Sequence, residues 1–291
     1  MKKYYINYAD NNHAFKRGQK FALEKAKLAG GFDDIVGYGR EEIDAQFYED
    51  NKSILEQAKG GGYWLWKPYF INKRLSEIED GDYLFYGDAG SFFLKSVDIL
   101  IEELEKVGQD IMVFESPYLE LQWTKRELFK AMECDEDFYK NSNQLMGGFQ
   151  LIKKTPFTVK FYKELLQYSC NEINLTDRNS PCVDQDESYI EHRHDQSILS
   201  LLYKKYRLRG FKDATQFGEH PAIGCGMKKI KFKKNKLYKL ENGRMFFAHD
   251  YPETYRLVLF NFRRDKPLKH YVKYRIRAFF GVIFGKQITK N

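Results

Sequence analysis

The sequence predicts an α/β fold in which a mixed, mostly parallel sheet is flanked by helices. Strand-like and helix-like patterns alternate through residues 1–115, and glycines end several of the helical patterns. The run from Tyr83 to Tyr86 is apolar throughout, as expected of a strand that is buried on both faces. An excess of basic residues after Lys228 predicts, in addition, a basic helical extension at the C-terminus.

The predicted elements follow one another in a regular order. Short runs rich in β-branched and aromatic residues predict strands at 3–8, 32–37, 81–86, 111–115 and 145–153. Apolar residues at helical spacing predict helices at 15–28, 43–58, 69–78, 97–107, 156–168 and 194–206. A polar segment at 171–187 predicts a long loop.

Composition limits the classes of function. The 291 residues are 43% apolar and 31% charged, which is typical of a globular chain that buries a sizeable core. Residues 228–291 hold 18 Lys and Arg against 4 Asp and Glu, a charge of +14, whereas residues 1–227 carry −7. This split excludes a uniformly basic nucleic-acid coat.

The four cysteines form no CxxC pair, so reduced thiols in a cytosolic protein are expected. No cleaved signal peptide or membrane span is expected.

The strongest local motif is Gly87-Asp88-Ala89-Gly90, directly after the predicted buried strand. The carboxyl ends of parallel strands are where α/β sheets bind ligands, and small neighbours let a bulky ligand approach the backbone. A carboxylate in this position suits a Mg²⁺ or Mn²⁺ ion shared with a diphosphate. The alternative is a turn that caps a following helix near Ser91.

Three other segments have a functional and a structural interpretation. The segment 60–68 has two interpretations. Its glycines and Lys67 bind a phosphate near a helix N-terminus, or the glycines end a helix and the aromatic residues after them belong to the hydrophobic core. The segment 191–197 either presents polar groups to a substrate or caps a helix through His194 or Asp195, and metal binding by its two histidines is a weaker alternative. His249, after an aromatic strand, is either a structural histidine or the partner of Asp88 in a metal site.

Together these segments resemble glycosyltransferases of the GT-A fold, most closely retaining bacterial enzymes of the lipooligosaccharide galactosyltransferase and glycogenin type. The segment 86–90 resembles their metal-binding Asp-x-Asp, with Gly90 in place of the second Asp. The segment 143–149 resembles the strand of these enzymes in which small residues let the backbone contact the donor sugar. The segment 194–199 resembles the start of their helix that begins with Asp-Gln. A C-terminal histidine completes their metal site, and His249 is the candidate for it in this sequence.

The resemblance implies a GT-A (Rossmann-like) domain at residues 1–255 and a basic amphipathic extension at 256–291. It implies sugar transfer, retaining by the same likeness, from a nucleotide-diphosphate sugar such as a UDP-sugar. The acceptor would be a glycan or a lipid-linked molecule of surface polysaccharide, capsule or lipopolysaccharide biosynthesis. Asp195 and Gln196 are the implied catalytic residues; Asp195 would orient the sugars, or act as a base if the enzyme inverts. Mn²⁺ or Mg²⁺ would be bound by Asp88 and His249. The implied nucleotide-sugar contacts are Asn7, Tyr8, Asp10, Lys67, Asp88, Ala89, Gly90, Gly147, Gly148 and His194.

The basic C-terminal region has three interpretations. Basic residues such as Lys273, Arg275 and Arg277 run into the apolar segment 279–284, a pattern typical of helices that lie on anionic membranes. A glycosyltransferase with this region is expected in the cytoplasm, peripheral on the inner face of the cell membrane. The alternatives are a solvated surface with a terminal helix docked on the body, and a nucleic-acid-binding protein, which the acidic body disfavours. A transferase that no longer turns over its donor is a further alternative.

Overall fold

The computed structural model describes residues 1–10, 12–219, 233–240, 242–262 and 266–284, with side chains to residue 279. Cys225 and the basic pairs at 228–229 and 263–264 lie outside the described residues, as do the side chains of the apolar segment after Phe279. At these positions, the charge of the basic C-terminal region is therefore known from the sequence alone.

Within the described residues, nine strands form two sheets. The seven-stranded sheet has the order β2-β1-β3-β6-β5-β8-β7, and β4 pairs with β9 in a second sheet. The strands are β1 (Lys3–Tyr8), β2 (Asp34–Tyr38), β3 (Tyr83–Gly87), β4 (Ser91–Phe93), β5 (Ile111–Leu119), β6 (Asn143–Lys153), β7 (Lys236–Lys239), β8 (Met245–Ala248) and β9 (Leu259–Asn261).

Strand directions in the large sheet confirm the predicted α/β class with a mixed, mostly parallel, Rossmann-like sheet. β1 is parallel to both β2 and β3. β6 is antiparallel to β3 and to β5, and β8 is antiparallel to β5 and to β7. It follows that β6 and β8 oppose the direction that the other strands of this sheet share. The carboxyl ends of β1 and β3 therefore lie side by side at one edge.

Helices cover both faces of the sheet. They are α1 (His13–Lys25), α2 (Ala45–Asp50), α3 (Lys52–Leu55), α4 (Gly60–Tyr63), α5 (Trp66–Glu77), α6 (Asp98–Val107), α7 (Glu120–Trp123), α8 (Arg126–Ala131), α9 (Asp137–Lys140), α10 (Pro156–Ser169), α11 (Glu172–Leu175), α12 (Asp195–Lys205), α13 (Gln216–Glu219) and α14 (Pro267–Phe284). A π-helical segment (Ala26–Gly30) extends α1, and a 3₁₀ turn (Arg40–Glu42) precedes α2.

The single helix predicted at 43–58 is wrong, because the chain forms α2 and α3 with a break at Asn51. The backbone of Asn51 leaves the helical region there, and its side-chain amide donates to the carbonyl of Phe47 instead. Short polar side chains that bond the local backbone compete in this way with helix continuation.

The hydrophobic core has a layer on each face of β3, as the apolar run predicted. Leu84 and Tyr86 pack in the cluster that includes α5, α10 and α12, whereas Tyr83 and Phe85 pack in the cluster that includes α6. All residues of β3 are buried. The strand that carries Asp88 at its end is therefore fixed from both sides.

The C-terminal part of the chain packs on the segment that follows β3. β9 pairs with β4, and Phe262 N donates to the carbonyl of Gly90 at 2.7 Å. Phe92, Phe260 and Tyr274 of α14 share a small apolar cluster. The predicted boundary at residues 255 and 256 thus falls within a packed segment. Among the described helices, none combines the length and the apolar composition that a membrane crossing requires.

Candidate active site

Residues 60–64, which include α4, form a left-handed helical turn. Gly60, Gly61, Gly62, Tyr63 and Trp64 all have positive φ, between 50° and 99°. A Cβ on Gly62 would lie 2.8 Å from the Cα of Leu55, so glycine is required there for space as well as for φ. The N–H groups of residues 61–64 all donate to backbone carbonyls, so none of them points at an anion.

This turn delivers two side chains to the edge of the sheet at the start of α5. The ring of Trp66 stacks on Tyr8, the last residue of β1, with centroids 3.9 Å apart. Lys67 follows, with its side chain only 6% exposed. Asp10 lies beside the turn, since a Cβ on Gly61 would be 2.8 Å from Asp10 Oδ2. The glycines and aromatics of this segment thus position Lys67.

Lys67 lies between two carboxylates that are far apart in the sequence. Its Nζ is 2.6 Å from Asp195 Oδ2 and 3.6 Å from Asp88 Oδ1. The hydroxyl of Tyr86 donates to Asp88 Oδ1 at 2.6 Å. The Asp195 side chain is 9% exposed and that of Asp88 is 45% exposed. Asp88 therefore faces solvent on one side and the buried pair on the other.

Burial and charge act in opposite directions on this group. Burial raises the pKa of Asp195, and the nearby Lys67 ammonium only partly offsets this effect. Burial alone would lower the pKa of Lys67, but the charges of Asp195 and Asp88 outweigh it, so the net change is upward. Burial, followed by the charge of Asp88, raises the pKa of Tyr86 far above its usual range. Lys67 is therefore a permanent cation at neutral pH.

The two glycines at the centre of β6 leave space beside these carboxylates. A Cβ on Gly147 would lie 3.0 Å from Asp195 Oδ2, and a Cβ on Gly148 would lie 2.9 Å from Asp88 Oδ2. The carbonyl of Gly148 accepts from Asp88 N at 2.9 Å. Gln196 Oε1 accepts from Gly147 N at 3.1 Å. The structure therefore brings together the residues predicted from the segments 86–90, 143–149 and 194–199.

The region after Asp88 does not cap a helix. Ser91 N and Ser91 Oγ both donate to the carbonyl of Asp88, and Ser91 then begins β4. Ala89 is buried, and the carbonyl of Gly90 accepts from Phe262. The alternative interpretation of this motif as a helix cap is therefore wrong.

His194 precedes α12 without capping it through its side chain. Its φ is 55° and its ψ is −123°, and its Nδ1 lies 2.8 Å from the carbonyl of Leu175. The ring of Trp64 stacks on its imidazole at 5.3 Å. Burial lowers the pKa of His194 to about 4, so the ring is neutral at physiological pH. This uncommon backbone geometry sets the direction in which Asp195 leaves the loop.

Two polar atoms at the end of β1 have no partner among the described residues. Asn7 Oδ1 and Tyr8 Oη are both buried, and neither makes a hydrogen bond to a described residue. Buried polar atoms in native proteins nearly always have a partner, which is often a ligand or water when it is not the protein. This strand end is therefore suited to bind a polar molecule.

The two predicted metal ligands have different partners. His249 Nδ1 lies 3.0 Å from Glu115 Oε2, and Tyr251 donates to the same oxygen at 2.9 Å. His249 follows β8, and β6 and β5 lie between β8 and β3 in the sheet. Among the described residues, no group of three or more His, Cys, Asp or Glu side chains is arranged to hold a metal ion. These residues do not fit a metal site built on Asp88 and His249.

Several residues of the site were not selected from the sequence. Tyr86 and Trp66 belong to segments that the motifs include, but only the fold reveals their contacts with Asp88 and Tyr8. Glu120 and Lys204 form a buried ion pair behind Gln196. They lie in short or regular helices with no distinguishing local motif, so no sequence signal marks them.

Comparisons with known proteins give matches in structure alone. No protein-family profile and no curated protein sequence matches the chain. Mouse xyloside xylosyltransferase 1, in its apo form, is 9% identical with a TM-score of 0.48, and the match covers 89% of this chain and 97% of that chain. The galactosyltransferase LgtC, in complex with donor and acceptor sugar analogs, is 15% identical with a TM-score of 0.44, over 89% and 86% of the two chains.

The apo glycosyltransferase GlyE of Streptococcus pneumoniae TIGR4 is 13% identical with a TM-score of 0.41, over 92% of this chain and 56% of that chain. All three are glycosyltransferases, the class that the sequence motifs resemble. At such low identities and scores, nothing about the substrate or mechanism of this chain follows from them.

Proposed function

We propose that this chain is a glycosyltransferase that moves a sugar from a nucleotide-diphosphate sugar, a UDP-sugar by the sequence resemblance, to a glycan or lipid-linked acceptor of surface polysaccharide biosynthesis. The observation that supports the proposal is that two carboxylates, those of Asp88 and Asp195, lie near the ammonium group of Lys67. Asp88 and Asp195 come from separate motifs, each of which the sequence resemblance associates with the donor, and one ammonium lies against both.

The nucleoside is proposed to bind at the end of β1. Asn7 Oδ1 and Tyr8 Oη are buried there without a hydrogen-bond partner in the part of the chain that the structure describes, and Trp66 stacks on Tyr8. Asp10 and Gly61 border this position. A base or ribose that hydrogen-bonds with these atoms would satisfy groups whose isolation is otherwise unfavourable.

The diphosphate and the sugar are proposed to lie between β3 and α12, beside Gly147 and Gly148. Transfer breaks the bond between the anomeric carbon and the diphosphate oxygen, and the acceptor hydroxyl oxygen forms the new bond and releases its proton. A fixed cation near the leaving oxygen stabilises the charge that develops there, and Lys67, which is 3.6 Å from Asp88, is proposed to supply it. Asp195 and Gln196, next to the glycines, are proposed to orient the donor sugar or the acceptor.

The predicted Mn²⁺ or Mg²⁺ ion stays a prediction, and no step is assigned to it. Asp88 has one oxygen engaged by Tyr86 and close to Lys67, which leaves its second oxygen as the candidate ligand. Affinity for a nucleoside diphosphate, measured by calorimetry with and without Mn²⁺, tests whether an ion joins the complex.

Turnover tests the proposed roles. A panel of UDP-, GDP- and CMP-sugars is incubated with the chain, and release of the free nucleotide is followed with water or added glycans as acceptors. Asp195→Asn is expected to lower turnover at least tenfold while leaving nucleotide affinity within about threefold, because it keeps the shape of the residue and removes its charge. Asp80→Asn, on an exposed side chain, is the matched control. Nucleotide affinity without turnover in the wild-type chain would instead indicate a transferase that no longer acts.

The outer face of α14 is proposed to bind an anionic membrane surface, which would bring a lipid-linked acceptor to the chain. Four apolar side chains that are each 51–61% exposed follow the spacing of one helix face: Leu268, Val272, Ile276 and Phe279. At about 100° per residue, Arg275 lies on one side of this face and Lys269 and Lys273 lie on the other. All three basic side chains are exposed, and α14 contains no acidic residue.

Away from this face, Tyr271 and Tyr274 pack on Phe260, with ring centroids 5.2 and 5.5 Å from that of Phe260. The helix is therefore held on the body by one side while the basic and apolar sides remain exposed. Such a surface is typical of helices that lie in the interface of an anionic bilayer.

Flotation with vesicles tests the membrane proposal. The wild-type chain is expected to bind vesicles that contain phosphatidylglycerol and not pure phosphatidylcholine, and the triple variant Leu268→Ser, Val272→Ser, Ile276→Ser is expected to lose binding. Phe15→Ser with Leu28→Ser, which changes exposed apolar residues on the other end of the chain, is the control. Binding to oligonucleotides in preference to vesicles would contradict the proposal and support the nucleic-acid alternative.

A further inference from the structure

The carboxylate of Glu120 is fully buried, and four polar side chains surround it. Thr124 Oγ1 donates to Glu120 Oε1 at 2.5 Å, and Gln144 Nε2 donates to the same oxygen at 2.9 Å. Ser200 Oγ and Lys204 Nζ both donate to Oε2. Glu120 is thus an acceptor-only group with both oxygens engaged, and Lys204 balances its charge.

This carboxylate fixes which way the Gln144 amide points. Gln144 Nε2 also lies 3.3 Å from the carbonyl of Trp123, so two groups that can only accept hydrogen bonds face its nitrogen. An amide turned the other way would place its oxygen against both of these acceptors. Gln144 Oε1 must therefore point away from Glu120, towards Gln196.

Two hydrogen bonds, one of them to Gln144, fix the orientation of the Gln196 side-chain amide. Gln196 Nε2 donates to Gln144 Oε1 at 2.7 Å, and Gln196 Oε1 accepts from Gly147 N at 3.1 Å. Each end of the Gln196 amide thus has a partner of fixed polarity. Gly148 follows Gly147 in β6 and lies beside Asp88. Asp195 precedes Gln196 in α12 and pairs with Lys67.

We infer that Glu120 and Gln144 are positioning residues that hold the Gln196 amide in one orientation at the donor sugar, with Lys204 as the counter-charge of Glu120. The inference rests on the proposed function for its use in catalysis, but the orientation itself does not. A buried ion pair adds little net stability compared with apolar residues of similar volume. Stability alone therefore does not account for the network of Glu120, Lys204 and Gln144, whereas orientation of Gln196 does. Neither Glu120 nor Gln144 contacts Lys67 in this arrangement, so both act through Gln196.

The first measurement is independent of activity. Proton exchange of the Gln196 side-chain amide is followed by NMR in the whole chain, with the signal assigned by its loss in Gln196→Glu. In Gln144→Met, the exchange is expected to accelerate at least tenfold. Gln122→Met is the matched control, because Gln122 is equally buried but bonds Ser188, Gly243 and Met245 instead. It is expected to change the exchange less than twofold.

The second measurement is turnover of the donor that the wild-type chain accepts. Gln144→Met is expected to lower kcat about tenfold or more with nucleotide affinity within threefold, whereas Gln122→Met keeps kcat within threefold. Equal kcat in the two variants, or an unchanged Gln196 exchange in Gln144→Met, overturns the inference. If Gln144→Met does not fold, the double variant Glu120→Gln, Lys204→Met removes the charges as a pair and is measured in the same way.

Failure of the proposed function has a different signature. In that case the wild-type chain binds no nucleotide, while the exchange experiment still reports whether Gln144 holds Gln196.

Discussion

Lys67 and Asp195 form a buried ion pair, with Nζ 2.6 Å from Oδ2, although they lie in different thirds of the sequence. The left-handed turn at 60–64 positions the lysine, and the unusual backbone of His194 positions the aspartate. The two strained segments also touch, since Trp64 stacks on His194. Two segments of unusual backbone geometry therefore lie beside one ion pair, as is common at functional sites.

Removal of the Lys67 charge is expected to destabilise the fold. Lys67→Met leaves the Asp195 carboxylate buried without its counter-charge, which costs about 3–5 kcal/mol of the free energy of unfolding. Because burial already raises the folded-state pKa of Asp195, its contribution to stability falls as pH rises through that pKa. The variant should therefore be more destabilised at pH 8 than at pH 5 in urea unfolding. Lys106→Met, on a 64% exposed side chain, should leave the free energy of unfolding nearly unchanged.

Alanine at the two glycines of β6 is expected to separate binding from turnover. In Gly148→Ala the new Cβ displaces Asp88, so the Kd for a nucleoside diphosphate should rise about tenfold, which is about 1.4 kcal/mol. In Gly147→Ala it displaces Asp195, so kcat should fall about tenfold with little change in Kd. Neither glycine has a positive φ, so the backbone accepts alanine and both variants should stay folded. Identical effects of the two substitutions would argue against separate roles for the two carboxylates.

Acid is expected to destabilise the chain through His194. Its pKa in the folded protein, about 4, lies below the usual 6.5, so the unfolded chain binds the proton first as pH falls. The stabilisation is present above pH 6.5 and is lost as pH falls towards 4, by up to about 3 kcal/mol. His194→Asn should flatten this part of the stability curve in denaturant unfolding between pH 7.5 and 4. His192, whose pKa burial also lowers, is present in both proteins. Parallel curves for the two proteins would be inconsistent with a neutral buried His194.

The Glu120–Lys204 pair offers a test of buried charge next to an exposed control. Lys204→Met leaves the fully buried Glu120 carboxylate uncompensated, and a loss of about 3–5 kcal/mol is expected. Lys205→Met should have little effect, because Lys205 lies 3.8 Å from Glu133, whose side chain is 89% exposed. Adding Glu120→Gln to Lys204→Met should recover part of the loss, which a double-mutant cycle measures. An additive double variant would mean that the two charges do not interact.

The sequence was sufficient for the elements whose pattern is local. The apolar run of β3 predicted a strand buried on both faces, and its polar end at Asp88 lies beside the end of β1, as a parallel sheet requires. The segments with small residues or an Asp-Gln pair were also selected, because few residue types suit a close approach to a ligand.

The remainder depends on contacts between distant parts of the chain. Glycines at 60–62 allow positive φ, but nothing local requires Tyr63 and Trp64 to continue it; packing against His194 and Leu55 decides this. β4 and β9 are each three residues long and form a sheet only with one another. The pairing of Lys67 with Asp195, and of Glu120 with Lys204, has no local signal because opposite charges occur throughout the chain.

Calorimetric titration of the chain with UDP, GDP and CMP tests whether a nucleotide-sugar binds at the edge formed by Tyr8, Lys67 and Asp88. We expect saturable binding of at least one nucleotide at one site per chain, with UDP the first candidate. Asp88→Asn and Tyr8→Ala should weaken that binding tenfold or more, while Asp80→Asn leaves it unchanged. Absence of binding by all three nucleotides, or binding that survives both Asp88→Asn and Tyr8→Ala, would contradict the proposed site.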